Sequence, residues 1–386
     1  MSLVFVGGSL MAFLTATTLA IDVGMFMTAR SQAQNSADAG ALAGATALAF
    51  DSFTDRTDGG PAKSSAVSTA LSNSVIRANV SVTPSDVDFP LGPTGLNNRV
   101  RVNVYRDSAH SNPLPTLMGG FFGVNRVDVR ATATAEASPA NAVRCVKPFM
   151  IPDKWAERRP VIAPFDPNTS VFDEYDNKGN LLSPADYYSG PGNPDYTGYN
   201  STLDKGTLLI IRAGTGNNIE PTMYYSWDMP GNTNGVTGGD WYRENIAECN
   251  PFKIPLPGPD QPPFLMTQEP GDMTGPTIQG VQDLYDKDPS AYWDTGCNCV
   301  KGSAISNNTT PRIFPIPVYD PNYYAAGKAN GRNADFKLAN IIGIFLDRPP
   351  TGNQIYGRIT PILGDVDDNL GPAPAGSFAT AIRLVQ

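Results

Sequence analysis

The chain has 386 residues, a net charge of −9 and four cysteines. Its basic residues are not clustered, which excludes the positive footprint that nucleic-acid binding requires. Its 37 Gly and 35 Pro fall mostly after residue 140, with aromatic residues interleaved, so the later chain reads as loop-rich β structure rather than disorder.

The first element is a long helix over residues 1–50, a stretch without proline. Met1 to Ile21 carries no charged side chain and is mostly apolar, while Asp22 to Phe50 is dominated by Ala, Gly and small polar residues. One continuous helix of this length would measure roughly 75 Å, and its apolar half, 3–21, has the length and polarity of a bilayer span. Small residues recur every four positions, first as Gly8, Ala12, Ala16, Ala20 and Gly24, then as Ala29, Ala33, Ala37, Ala41, Ala45 and Ala49. This spacing lets helix backbones approach closely, so the helix is expected to pack against other helices or against the chain's own sheet. No Lys or Arg precedes the apolar run and no A-x-A site follows it, which favours an anchor over a cleaved signal. Arg30, the nearest basic residue, taken alone points to the opposite orientation. Cysteine usage and the loop-rich later chain place that later part outside the cytoplasm.

Residues 51–140 read as a small α+β unit. DSFTDRTDGGP (51–61) is a break. Ala62 to Ala78 is predicted helical, with Val67, Ala70, Leu71, Ser74 and Val75 on one face. Asn98 to Asp107 is predicted as a strand, because Val100, Val102 and Val104 alternate with Arg99, Arg101 and Asn103. Pro113 to Gly123 reads as a short helix ended by Gly123. Val127 to Glu136 reads as a second strand, with Val127, Val129, Ala131, Ala133 and Ala135 facing inward.

These residues carry a family resemblance. The run LAIDVGMFMTARSQAQNSADAGALAGA (19–45), with Ala20-Ile21-Asp22-Val23-Gly24 followed by Arg30, Gln34 and Asp38, resembles the amino-terminal signature of TadE/TadG-like proteins of the Flp (tight-adherence) pilus assembly system. The segment 100–137 is similar to the same family, and Arg144 to Asp153 resembles the link to a carboxyl extension of some TadG-like chains. The resemblance implies a structural protein of the bacterial cell envelope, not an enzyme. It would be membrane-anchored with an extracytoplasmic domain, or a subunit of an extracellular filament. Its partners would be the membrane, other pilin-like helices, further copies or pilus assembly proteins. The chain departs from the family in lacking a basic stretch before the apolar run and any D-x-S-x-S metal-site run. A mature pilin-type start would carry an acidic fifth residue, where this chain has Phe5.

Residues 141–386 are expected to form a predominantly β, disulfide-stapled domain. Strands are predicted at Thr207–Ile211, Met223–Trp227, Arg312–Tyr319, Phe336–Leu346, Gln354–Leu363 and Phe378–Val385, with a single good helix at Thr277–Asp286. Two disulfides are expected from Cys145, Cys249, Cys297 and Cys299. Because only Asn298 separates Cys297 from Cys299, each is expected to pair with Cys145 or Cys249, and the spacing does not suit a zinc site.

Candidate chemistry is sparse. His110, the only histidine, lies in a polar loop without a nucleophile elbow. Calcium could be held by Asp365, Asp367 and Asp368, the best of three acidic clusters; the others are Asp283, Asp286 and Asp288, and Asp173 to Asn180, where NKGN (177–180) reads more simply as a hairpin turn. Trp227-Asp228, Asp240-Trp241-Tyr242 and Tyr292-Trp293-Asp294 are compatible with carbohydrate contact, and paired carboxylates there with glycoside hydrolysis. Burial of those rings in a β core is the competing explanation.

Overall fold

The computed structural model describes residues 2–93, 95–159, 164–176, 178–214, 218–231, 238–256, 262–329, 335–373 and 377–385. The protein is α+β and consists of two compact units, Met1–Ser138 with Ile382–Gln386, and Pro139–Ala381.

The first unit is built on α1, Ser2–Phe50, a single helix of 49 residues. Its two halves have different surroundings. From Phe5 to Ile21 every described side chain is exposed, whereas Ala29, Ala33, Ala37, Ala41, Ala45 and Leu48 are fully or almost fully buried. The second half packs on α2, Pro61–Ser72, and on the Arg99–Arg106 strand. Proline at the start of α2 is tolerated because that N–H has no helical partner. The stripe that α2 buries is Ala62, Ala66 and Ala70, and the helix stops at Ser72, short of the expected Ala78. Val67 and Leu71 are only partly buried, because the facing surface of α1 leaves room for methyl groups alone. A Cβ on Gly44 would lie 2.8 Å from Val100 Cγ1 and 3.1 Å from Ala66 Cβ. After α2, Ser74–Val75 pairs with Ala78–Asn79 as a small hairpin.

Polar residues of α1 tie these parts together. Ser36 donates to the carbonyl of Ala70 at 2.8 Å, which also accepts the Asn73 N–H at the end of α2. Gln32 accepts the Ile76 N–H at 2.8 Å, and Gln34 donates to the Thr132 carbonyl at 3.2 Å. The sheet pairs Val87–Asp88, Arg99–Arg106 and Val129–Pro139 antiparallel, with Val102 opposite Ala133. Alternation puts Val100, Val102, Val104, Ala131, Ala133 and Ala135 in the core. Cross-strand ion pairs occupy the outer face, Arg99 with Glu136 at 2.7 Å and Arg101 with Asp88 at 2.9 Å.

The segment 113–123 is not an α-helix. Leu114–Pro115 pairs with Arg126–Val127, and between them Gly119–Phe122 makes one 3-10 turn ended by left-handed Gly123. Proline at 113 and 115 and glycine at 119, 120 and 123 oppose a regular helix, and Leu114 is fully buried as a strand residue.

The second unit centres on a closed six-stranded barrel. Its circuit runs Phe336–Leu346, Ile313–Tyr319, Phe149–Pro152, Met223–Ser226, Leu208–Ala213, Gln354–Thr360 and back to Phe336–Leu346. Two pairs are parallel, Ile313–Tyr319 with Phe149–Pro152 and Leu208–Ala213 with Met223–Ser226; the others are antiparallel. Closure pairs each strand of the circuit on both sides, and Leu265–Met266 adds to Phe336–Leu346 outside it. Closure needs glycine where the closing strands meet, since a Cβ on Gly343 would lie 2.1 Å from the Thr360 carbonyl oxygen. Among the described residues three helices flank the barrel: α3, Gly238–Ala247; α4, Thr274–Asp286; and α5, Pro321–Ala329. Only α4 was expected. The start of α5 carries a legible signal, because Asp320 caps it by accepting the Tyr323 N–H at 3.0 Å just before Pro321.

The disulfides correct the expected pairing. Cys145 bonds Cys249, and Cys297 bonds Cys299. Tyr292–Asp294 and Cys299–Lys301 form a hairpin, and Asn298 in the left-handed region (φ 55°) brings the neighbouring cysteine Cα atoms to 5.2 Å. That separation lies within the range a disulfide spans. Of the expected NKGN turn, Asn177 lies outside the described residues; the flanking Tyr175 and Leu181 form a bridge.

Candidate functional site

The feature of the first unit best suited to function is the junction between α1 and the Leu114–Val127 arm. Asp22 sits where the exposed part of α1 gives way to the buried part, and is itself only 6% exposed. Its carboxylate accepts the backbone N–H of Leu117 at 3.0 Å and that of Met118 at 3.2 Å. An unpaired carboxylate inside an apolar helix would be costly, and the turn of the arm supplies two donors for it. Thr116 closes the arm on itself by donating to the Val124 carbonyl at 2.6 Å.

Helix and arm together line an apolar cavity of about 260 Å³ that is partly open to solvent. Thr15, Leu19, Val23 and Phe26 line it from α1, and Thr116, Gly119, Phe122 and Val124 from the arm. Beside it Leu117, Phe122 and Val124 are exposed on the arm, and Leu19 and Val23 on the helix. Apolar side chains clustered this densely mark a contact surface rather than ordinary surface scatter. α1 is the one helix among the described residues long and apolar enough to cross a membrane. Gly8, Ala12, Ala16, Ala20 and Gly24 are exposed along it, Ala29 to Ala45 lie in the core of the first unit, and Ala49 is half-buried. The Phe121 side chain lies outside the described residues.

The junction escaped the sequence reading because Asp22 bonds to backbone groups about 95 positions away, which no spacing reveals. One signal was available: Leu117, Phe122 and Val124 are apolar residues in a glycine-rich turn, where polar ones are usual.

The other candidate residues have occupied surroundings. His110 stacks on Tyr105 with ring centroids 4.2 Å apart, and its Nδ1 lies 2.6 Å from Asp107 Oδ1. Burial alone would raise the Asp107 pKa, but hydrogen bonds from His110 and Arg130 hold it below the ordinary carboxylate value. Asp365 pairs with Arg144 at 2.7 Å, and Asp367 with Lys253 at 3.2 Å and with the Asn369 N–H. Among the described residues no three His, Cys, Asp or Glu side chains gather into a metal-ligating group. Asp294 pairs with Lys301 at 2.6 Å. Trp227, Tyr242 and Trp293 are buried, with the Trp227 indole donating to the Lys147 carbonyl, while Tyr292 is exposed.

Residues 1–47 match the family model described as putative Flp pilus-assembly TadE/G-like. The match ends inside α1, so the arm, the sheet and the whole second unit lie beyond it. No curated protein and no solved structure matches the chain significantly. The family match and the apolar half of α1 together fit a pilus-associated, membrane-anchored protein of the cell envelope.

Proposed function

We propose that this chain is a structural, minor-pilin-like protein of the bacterial cell surface. The apolar half of α1 anchors it, the rest of α1 is the spine of its first unit, and the disulfide-bonded barrel is the displayed part. The observation that carries this reading is the change of environment along one unbroken helix, exposed from Phe5 to Ile21 and in the protein core from Ala29 onward. A helix buried only along its second half leaves about 20 residues, or roughly 30 Å, to be covered by something else, which is the thickness of a bilayer's hydrocarbon core. The coincidence of that segment with the TadE/G-like match supplies the pilus connection.

A second version is supported by the exposure of Gly8, Ala12, Ala16, Ala20 and Gly24. Their four-residue spacing would let apolar helices of several copies pack closely, making the chain a repeating filament subunit. Electron microscopy of sheared surface material, with peptide identification, separates the versions. Filaments containing this chain as the main component support the subunit. A chain found only in the membrane fraction supports the anchored, pilus-associated form. Recovery of the native chain as a soluble protein, absent from membranes and filaments alike, contradicts both.

A further inference from the structure

We propose that the Leu114–Val127 arm is a second membrane contact, a wedge lying in the interfacial layer of the leaflet where the α1 span ends. The proposal rests on the anchor reading and adds a lipid-facing surface outside the helix. Three observations carry it. First, Asp22 fixes the height of the arm, because its carboxylate holds the Leu117 and Met118 N–H groups at the residue that closes the apolar run. If Ser2 to Ile21 fills the hydrocarbon layer, the turn of the arm lies at the boundary of that layer.

Second, the arm is apolar at its turn and basic at its base. Leu117, Phe122 and Val124 are 65%, 58% and 49% exposed, and Phe122 and Val124 share the cavity with the exposed Leu19 and Val23 of the helix. Arg126 at the root of the arm and Arg30, two turns beyond Asp22, are exposed. The acidic groups close by are engaged, Asp22 with the arm and Asp128 with the N–H and hydroxyl of Ser108. Apolar groups toward the acyl chains with guanidinium groups at phosphate level is the arrangement of an interfacial anchor. Third, the surface is continuous with the exposed face of the span, so lipid around α1 would meet the arm without any further partner. The cavity behind Phe122 and Val124 gives an acyl chain a place to lie against Leu19 and Phe26.

The test uses the full chain in vesicles of phosphatidylcholine and phosphatidylglycerol containing lipid brominated at a shallow or a deep acyl position. Every described cysteine is disulfide-bonded, so an environment-sensitive fluorophore can be placed through Met11→Cys, Phe122→Cys or Leu203→Cys. The expected result is deep quenching at position 11, shallow quenching with a blue shift at 122, and none at the highly exposed 203. Adding Asp22→Ala should weaken quenching at 122 several-fold and leave position 11 unchanged. Quenching at 11 without quenching at 122 overturns the proposal, as does protection of 122 from an aqueous quencher without lipid quenching, which would mean a protein covers the arm. Loss of quenching at 11 overturns the anchor reading itself, a result distinguishable from failure of the arm alone.

Discussion

Asp22 and Leu117 meet at 3.0 Å, carboxylate oxygen to backbone N–H, across 95 positions of chain. The pair joins the one acidic residue near the end of the apolar run to the turn of a short arm that carries its own exposed apolar residues. Replacing Asp22 with Ala should therefore free the arm, leaving two N–H groups without an acceptor at a cost of about 1–3 kcal/mol. Hydrogen exchange of Leu114–Val127 should accelerate by about tenfold or more while α2 and the sheet keep their protection. Unchanged exchange in the arm would show that the carboxylate does not hold it.

The contact between α1 and α2 tolerates nothing larger than a methyl group at its centre. Gly44→Leu places a side chain where Val100 and Ala66 already stand, and Ala37→Leu with Ala41→Leu does the same along the buried stripe. Each should cost about 1–3 kcal/mol through overpacking. The readout is the urea midpoint of the first unit, with carbonate extraction as the control that membrane insertion is unaffected. Full stability of the Leu variants would mean that this packing is looser than described.

The two disulfides should contribute very unequally. Cys145–Cys249 closes a separation of 104 residues and joins the segment before the Phe149–Pro152 strand to the end of α3, whereas Cys297–Cys299 spans a separation of two. Loop entropy assigns the first roughly 4–5 kcal/mol and the second far less. Cys145→Ser with Cys249→Ser should lower the melting temperature of the second unit clearly, and Cys297→Ser with Cys299→Ser only slightly. Equal effects would contradict this assignment.

Two buried groups in the second unit give opposite pH dependences. Lys147 donates to the carbonyls of Glu248 at 2.6 Å and Asn245 at 3.4 Å, at the end of α3, and burial pushes its pKa down from 10.5 to about 7. Between about pH 7 and 10 the unfolded chain holds the extra proton, so stability should rise with pH there. Asp153 accepts hydrogen bonds from Tyr188 and Tyr196, and burial raises its pKa from 3.8 to about 6. Between about pH 4 and 6 the folded chain holds the extra proton, so stability should fall as pH rises. Urea midpoints against pH check both slopes. Lys147→Met should flatten the upper window and Asp153→Asn the lower, and slopes unchanged by these variants would refute the assignments.

Legibility in the sequence followed the range of the interactions. The long helix could be read because fifty residues without proline are a local fact, and the Arg99–Arg106 strand because Val100, Val102 and Val104 alternate. The end of α2 was misplaced because Val75 belongs to a tight hairpin whose turn residue Ile76 is held by Gln32 of α1, a tertiary contact. Barrel closure depends on strands far apart in sequence meeting at Gly343 and Gly357, which nothing local announces. The Cys297–Cys299 bond was rejected on spacing alone, since the left-handed turn at Asn298 that permits it is a property of the folded hairpin. The junction at Asp22 was the least legible part, since the groups that answer the carboxylate are backbone N–H groups.

The central claim is that one helix serves two environments, lipid along its first part and its own unit along its second. Deleting residues 2–21 tests it most directly, with membrane flotation and hydrogen exchange read on the same sample. The account requires the shortened chain to lose its carbonate-resistant place in the membrane while Ala29 to Ala45 remain protected as in the full chain; the arm alone would hold it only loosely. A shortened chain that still floats with vesicles after carbonate extraction, or one whose Ala29 to Ala45 segment loses protection, would contradict it.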